Sequence, residues 1–186
     1  MSSPPADDET LICDVAARDE RAFARLVSRY TAIVRAIALR FTGNSADADE
    51  ITQDAFLSVW NNAGHYDPAR ASFSTWLYRI TANRCMDTLR RRRLWSWIGL
   101  DAAGDPAAPE PSAEESLGQR ETLALVRQDI LDLPERQRMA LILVVTAERS
   151  AQDVAEILGV SRGAAEQLIV RARHALRDRQ RERTTP

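Results

Sequence analysis

Four consecutive arginines, at positions 90–93, end a stretch of the chain that carries several groups able to bind nucleic acid. Arginine forms bidentate hydrogen bonds with phosphates and base edges and keeps its charge in any environment. Asn83 and Asp87 precede the run at a spacing of four, which places them on one face of a helix. The pattern predicts either a phosphate clamp or cations that complement the C-terminal end of a helix dipole. Spacing alone leaves Asn83 and Asp87 as nucleic-acid ligands or as mutual hydrogen-bond partners.

A second basic segment lies between Ser150 and Arg173. A short helix, a turn at Gly159 and a longer helix after Ser161 have the spacing of a helix-turn-helix. In that motif the N-terminal half of the second helix enters the major groove. Residues predicted to face bases are Arg162, Ala164, Ala165, Gln167 and Leu168, and those predicted to follow phosphates are Arg171, Arg173, Arg177 and Arg179. The alternative is a helical hairpin with a solvated arginine face, because this pattern also arises by chance.

Two amphipathic helices precede the arginine run, and a turn-rich loop from Gly64 to Arg70 joins them. The first helix carries groups that form either a solvated face or a docking surface for a partner protein: Asp49, Glu50, Gln53, Asp54 and Trp60. The second has apolar groups at helical spacing, which predicts mostly core positions: Phe73, Trp76, Leu77 and Ile80. The loop between the helices is also suited to stacking an unpaired base on an aromatic ring.

Charge is distributed unevenly along the 186 residues, although the formal net charge is only −2. All 25 basic residues are arginine, a preference that genomic composition bias explains without a functional cause. Residues 94–116 contain five acids and no arginine, together with Pro106, Pro109 and Pro111. Because such a segment cannot bury enough apolar surface to offset chain entropy, residues 95–116 are predicted to be a linker.

Apolar residues recur at helical spacing on both sides of this linker, and no segment has the alternation of a strand. The sequence therefore predicts an all-α fold of two small helical domains joined by an acidic, proline-containing linker. The predicted parts are a disordered start at 1–6, a first domain at 7–94, the linker at 95–116, a second domain at 117–180 and a tail at 181–186. Predicted helix caps are Ser45, Ser72, Ser150 and Ser161, with Pro134 at the start of another helix.

Several classes of protein are excluded by what the sequence lacks. Cys13 and Cys85 are too far apart for a disulfide framework, and no cysteine or histidine has metal-ligand spacing, so no metal or cofactor is expected. There is no nucleophile–base pair and no glycine-rich phosphate loop, which argues against an enzyme or a small-molecule substrate. No run of 18 apolar residues exists, and the acidic start is not a signal peptide, so we expect a cytoplasmic protein that does not insert into membranes.

Four segments, in one order around the linker, together resemble an extracytoplasmic-function (group IV) sigma factor of bacterial RNA polymerase. Residues 47–60 (DADEITQDAFLSVW) are similar to its region 2.2, and residues 73–93 to its regions 2.3 and 2.4. Residues 133–141 (LPERQRMAL) are similar to region 4.1, and residues 151–177 to region 4.2. The resemblance covers about residues 7–93 and 117–180, and it implies two helical domains that act in transcription initiation.

The resemblance also implies a role for each segment. The core polymerase would be bound by Asp49, Glu50, Gln53, Asp54 and Trp60. The −10 promoter element would be read and melted by Tyr66, Asp67, Arg70, Ser72, Phe73, Ser74, Asn83, Asp87, Arg90, Arg91, Arg92 and Arg93. The −35 element would be contacted by Ser161, Arg162, Ala164, Ala165, Gln167, Leu168, Arg171 and Arg173. The linker would either enter the polymerase channel or act as a passive spacer, and an anti-sigma factor would hold the protein until a stress releases it.

The recognition helix departs from the family pattern. Residues 163–168 read Gly-Ala-Ala-Glu-Gln-Leu where the family often has Gly-Thr-Val-x-Ser-Arg, so the arginine expected at Leu168 is absent. The difference predicts an unusual promoter preference. Two other functions remain as alternatives: an autonomous helix-turn-helix repressor that binds duplex as a dimer, and a sigma mimic that sequesters an anti-sigma factor. The asymmetric layout argues against the first, and the arginines of both domains argue against the second.

Overall fold

The computed structural model describes residues 7–97 and 117–184. Within these ranges the chain forms helices and no strand, which confirms the predicted all-α fold. The helices are α1 (Asp8–Ala16), α2 (Glu20–Thr42), α3 (Ser45–Asn62), a 3-10 turn (Ala63–His65), α4 (Phe73–Trp97), α5 (Leu117–Leu131), α6 (Glu135–Thr146), α7 (Ala151–Leu158) and α8 (Arg162–Thr184). None of these helices is long and apolar enough to cross a bilayer.

The predicted unstructured parts are only partly covered by these ranges. Residues 1–6 and 98–116, which were predicted to be a disordered start and most of the linker, lie outside the described residues. The sequence places Trp95 and Trp97 in the linker, but both are in the last turn of α4, which continues past the arginine run. Residues 181–184, expected to be a tail, continue α8.

Side-chain caps fix where the helices begin. Three of the predicted caps are confirmed by hydrogen bonds from backbone N–H groups: Ser72 accepts from Thr75 (3.3 Å), Ser150 from Asp153 (3.2 Å) and Ser161 from Ala164 (3.2 Å). The prediction for Ser45 is wrong, because α3 begins at Ser45 and the cap is the residue before it. The Asn44 side chain accepts from the Asp47 N–H at 3.0 Å, while the Ser45 hydroxyl accepts from Arg35 at 2.8 Å.

The first module is built around the buried stripe of α2. Leu26, Val34, Ile37 and Phe41 lie on this stripe and are fully buried, as their spacing predicts. Helices α1, α3 and α4 pack around it. The stripe ends at Gly43, whose left-handed conformation terminates α2. The packing fixes α3 and α4 side by side, which sets the relative positions of the acidic helix and the arginine run.

The second module has its core at the helix-turn-helix and a looser edge at α5. Helical spacing predicts that Leu123, Val126 and Ile130 form one buried stripe on α5, but Leu123 and Val126 are 49% and 45% exposed. They are exposed because they line an open groove between α5 and α2 instead of facing a closed core. The prediction of a buried stripe on α5 is therefore wrong for Leu123 and Val126.

Arg138 connects the two modules and is buried between them. Its guanidinium donates to the backbone oxygen of Phe41 (2.7 Å) at the C-terminal end of α2. It also donates to the backbone oxygens of Leu133 (3.1 Å) and Leu131. Burial lowers the pKa of Arg138, but an arginine stays charged in proteins, so the cation complements the dipole of α2. Sequence reasoning gave no role to this residue.

Two glycines of the helix-turn-helix are expected to respond in opposite ways to alanine. Gly159 has φ +62° in the turn, where a side chain costs about 1–2 kcal/mol. Gly163 lies in α8, and a Cβ there would meet no atom within 4 Å. Gly159→Ala should therefore lower the free energy of unfolding by about 1–2 kcal/mol, and Gly163→Ala should raise it by about 0.5–1 kcal/mol. Chemical denaturation measures both; equal losses would contradict the turn geometry.

Candidate nucleic-acid interface

The arginine run on α4 is held by ion pairs. The pairs are Arg90 with Asp87 (3.0 Å), Arg91 with Glu50 (3.0 Å), Arg92 with Asp47 (2.7 Å) and Arg93 with Glu135 (2.7 Å). The exposed pairs Arg90–Asp87 and Arg91–Glu50 contribute only about 0–1 kcal/mol each, so phosphate groups can replace these two carboxylates at little cost. The Asp47 carboxylate is buried, so Arg92 is held more firmly. Burial raises the pKa of Asp47, and the charge of Arg92 partly offsets this effect. Asp87 accepts from Arg90 and forms no hydrogen bond with Asn83 within the described residues, so the two are not mutual partners, and their role as nucleic-acid ligands stays a prediction.

The acidic face of α3 is mostly open to a partner. Asp49 and Glu50 are exposed and pair with Arg35 (2.6 Å) and Arg91 respectively. Gln53, about one turn further along α3, is also exposed. The two remaining predicted contact residues are partly buried: Asp54 and Trp60. The face is thus a charged surface on which three of the five predicted residues are accessible.

Trp60 belongs to an aromatic cluster. Its ring lies 5.0 Å from the ring of Phe23, and the Arg18 guanidinium lies over it at 5.3 Å. Arg18 also donates to the backbone oxygen of Trp60 at 3.2 Å. The contacts fix the end of α3, and they leave only part of the indole for a partner protein.

The loop before α4 is held by its own side chains. The Tyr66 hydroxyl donates to the Ala71 backbone oxygen at 3.1 Å, and the Tyr66 ring lies 5.5 Å from that of Trp76. Asp67 accepts from the Ala69 N–H at 3.0 Å, which closes the turn, and Arg70 is exposed. The loop therefore presents Asp67 and Arg70 outward, on a support of aromatic rings.

Phe73 does not take part in that outward surface. It is 1% exposed and packs against Tyr30, Tyr66 and Trp76. The structure thus corrects its predicted role: Phe73 is a core residue that supports the loop, and its ring offers no face to a base. Ser74, in the next position, is half-buried and lies 3.4 Å from Arg149 of the second module. Asn83 is exposed on α4, on the same face as Asp87.

The helix-turn-helix has the geometry that its spacing predicts. α7 is closed at its C-terminal end by Gly159, and Val160 donates its N–H to the Ala155 oxygen at 3.0 Å. Residues of the motif that are exposed and able to contact DNA include Ser161, Arg162, Ala164, Gln167, Arg171 and Arg173. Arg162 forms an ion pair with Glu166 at 2.9 Å.

One predicted base contact in this helix is contradicted by the structure. Ala165 is 0% exposed on the side of α8 that packs inward with Ile169, so its side chain cannot reach a base edge. Leu168 is half-buried at the edge of that side, and its contact stays a prediction. Val170, which was not predicted as a contact, is 45% exposed. Its spacing of three from Gln167 is the signal that would have identified it.

The two candidate reading elements face one cleft. Its walls include Tyr66, Asp67 and Arg70 of the loop, opposite Ser161 and Arg162 at the start of α8, and its volume is about 700 Å³. Two further contacts hold the modules in this arrangement: the Arg93–Glu135 ion pair, and Arg149, whose guanidinium lies 5.6 Å from the Tyr78 ring.

Two family models match the chain, sigma-70 region 2 over residues 26–94 and sigma-70 region 4 over residues 124–176. The chain is 32% identical to the RNA polymerase sigma factor CnrH of Cupriavidus metallidurans over 94% of each chain. It is 31% identical to the ECF RNA polymerase sigma factor SigW of Bacillus subtilis, over 88% of this chain and 91% of that one.

Solved structures agree with the sequence comparison. CnrH in complex with the cytosolic domain of CnrY superposes with a TM-score of 0.72 at 26% identity, covering 94% of this chain and 97% of that chain. The sigma factor RpoE of Bartonella quintana, bound to the anti-sigma factor NepR, has the same fold, with a TM-score of 0.70 at 22% identity over 84% of this chain and 94% of that one. The protein therefore belongs to the sigma-70 family of RNA polymerase sigma factors, in its extracytoplasmic-function group.

Proposed function

We propose that this sigma factor is the promoter-specificity subunit of a holoenzyme. It binds core RNA polymerase through the exposed face of α3, and it reads promoter DNA through the loop before α4, through α4 and through α8. The observation that supports this most strongly is the presence, on one chain, of an exposed acidic face and two separate arginine-rich surfaces. The protein itself carries out no catalysis and acts in the cytoplasm.

At the −10 element, the exposed loop residues and α4 hold an unpaired base. Extruding a base from the duplex costs a few kcal/mol, and capture by the protein offsets that cost. Asn83 offers an amide to the base, and Arg90, Arg91 and Arg93 exchange their carboxylate partners for phosphates, while Arg92 stays paired with the buried Asp47. Phe73 contributes indirectly, because it supports Tyr66 from below.

The loop before α4 and the start of α8 must move apart before they can contact the −10 and −35 elements at the same time. Positions −10 and −35 are about 25 base pairs apart, which corresponds to about 85 Å along B-DNA at 3.4 Å per base pair. In the structure the loop and the start of α8 line a single cleft. We therefore infer that the modules move apart in the holoenzyme, which breaks the contacts of Arg138 and the Arg93–Glu135 pair.

A regulatory partner follows from the family. The similar proteins CnrH and RpoE were each solved with a bound protein, the cytosolic domain of CnrY and the anti-sigma factor NepR. We infer that an anti-sigma factor also holds this chain, and that a stress signal releases it.

A direct test of the main proposal is binding: the purified protein should bind core polymerase tightly and promoter duplex poorly on its own. Tight duplex binding as a dimer would instead support a repressor.

Asn83→Ala is expected to reduce initiation about tenfold while leaving the affinity for core polymerase unchanged. Loss of one good base contact costs about 1–3 kcal/mol, and Asn83 lies on α4, away from the acidic face of α3. The measurement is promoter opening by the holoenzyme, with core binding measured in parallel. Asn62→Ala, another exposed asparagine, is the matched control and should change neither quantity, because Asn62 lies away from the face of α3 that carries Glu50 and Gln53. A loss of core binding in Asn83→Ala would show that this face of α4 is wrongly assigned.

A further inference from the structure

The outermost face of α8 is formed by residues spaced four and three apart. Gly163, Gln167 and Val170 share this face, which is opposite the buried side that contains Ala165 and Ile169. All three are exposed at the N-terminal half of the helix, the part that enters the major groove in a helix-turn-helix. Gln167 therefore lies at the centre of the surface that meets the bases.

Small residues allow this surface to approach DNA closely. Gly163 has open space around it, since a Cβ there would meet no atom within 4 Å. Ala164 is exposed beside it and adds only a methyl group. The inward side is rigid, because Ala165 and Ile169 are buried and Ser161 caps the helix. Because the residues at its start are small, the helix can lie deep in the groove. Because its inward side is rigid, the Gln167 side chain is then held at a fixed depth.

The Gln167 amide is available for such a contact. Among residues 7–97 and 117–184 it makes no hydrogen bond within the chain, whereas the neighbouring acid Glu166 is occupied by Arg162 at 2.9 Å. An amide carries both a donor and an acceptor. On the central face of the helix, Gln167 is thus the side chain able to give and receive a hydrogen bond at once.

Adenine is the base whose major-groove edge matches this amide. It presents the N7 acceptor beside the N6 amino donor, so the Gln167 Nε2 would donate to N7 while Oε1 accepts from N6. Guanine presents two acceptors, N7 and O6, and would leave Oε1 facing an oxygen. Val170, apolar and 45% exposed, and Ala164 flank the amide and suit the methyl group of a thymine.

We propose that Gln167 is a specificity-determining residue that reads one adenine of the −35 element, with Val170 against the methyl of a neighbouring thymine. The inference rests on the proposed function and extends it to the base that is recognised. Leu168, where the family pattern has an arginine, is half-buried and supplies no competing hydrogen bond. Selectivity at this site therefore comes from an amide and two apolar groups, without a guanidinium at that position.

The test uses holoenzyme assembled from core polymerase and the full-length protein. A promoter library randomised across the −35 region is transcribed, and the enriched sequences are read. The wild type should enrich an adenine at one position. Gln167→Ala should lose that preference by roughly 5- to 150-fold, the range for one bidentate base contact, with the other positions unchanged. Gln167→Arg should shift the preferred base from adenine to guanine, because arginine pairs with the N7 and O6 of guanine.

Gln152→Ala is the matched control, since Gln152 is an exposed glutamine of α7 whose amide already bonds Glu156 at 2.9 Å. It should leave the base preference at every position unchanged. Transcription by the wild type without an enriched adenine, or a Gln167→Ala profile identical to the wild type, would overturn this inference alone. A wild type that starts no transcription with core polymerase would overturn the proposed function, and this inference with it.

Discussion

Replacing Phe73 with alanine is expected to lower the free energy of unfolding by about 3–5 kcal/mol, the usual cost of deleting a buried aromatic side chain. Phe73 is almost fully buried, and its ring lies 5.4 Å from that of Tyr30 and 6.3 Å from that of Tyr66. Removing it leaves a cavity under the loop, so Tyr66 should also lose its fixed position. Chemical denaturation measures the change in stability.

Trp97→Ala is the matched control for this prediction. Trp97 is an aromatic residue of the same helix, but it is 91% exposed, and exposed substitutions usually change stability by less than about 0.5 kcal/mol. Comparing the stability changes of the two variants shows whether the loss comes from the buried packing of Phe73 or from the removal of any aromatic ring. If Phe73→Ala kept full stability and lost only −10 recognition, Phe73 would be a DNA-contacting residue and its placement in the core would be wrong.

Arg138→Met should destabilise the protein by roughly 3 kcal/mol or more, because each buried carbonyl left without a donor costs about 1–3 kcal/mol. The substitution removes the donor to Phe41 in the first module and to Leu131 and Leu133 in the second. It also removes the cation that lies 5.2 Å from the Phe41 ring. Since Arg138 connects the modules, the radius of gyration in solution scattering should increase as well.

Arg136→Met provides the control on the same helix, because Arg136 is exposed. It should change stability by less than about 0.5 kcal/mol and leave the radius of gyration unchanged. An Arg138→Met protein as stable and compact as the wild type would mean that the buried arginine does not hold the modules together. The packing between α2 and α6 would then have to be sufficient without it.

Local signals in the sequence were enough to predict most of the helices. α7 spans Ala151–Leu158, between the predicted Ser150 cap and the predicted turn at Gly159, because both signals act within a few residues of the helix ends. The cap of α3 was misplaced by one residue because Asn44 and Ser45 are both good caps, and only Arg35, ten residues away in the chain, takes up the Ser45 hydroxyl. The exposure of Leu123 could not be predicted, because it depends on how α5 lies on α2.

Contacts between distant segments explain what was missed at the candidate site. The arginines at 90–93 were recognisable as a cluster, but three of their partners lie about forty residues or more away in the sequence: Asp47, Glu50 and Glu135. In the sequence Arg138 resembles Arg136, the exposed arginine two positions before it, because the burial of Arg138 arises only where the two modules meet. In α8, helical spacing alone places Ala165 and Gln167 on opposite sides of the helix. Ala165 was wrongly predicted to contact a base because every residue at the start of the helix was assigned to the DNA-facing surface.

Run-off transcription tests the central claim most directly. Core RNA polymerase, with and without this protein, is supplied with a library of random promoter sequences, and the transcripts are sequenced. The account predicts initiation that depends on the protein and that selects templates sharing two motifs, one near −10 and one near −35. Transcripts that are the same in number and sequence with and without the protein would contradict it.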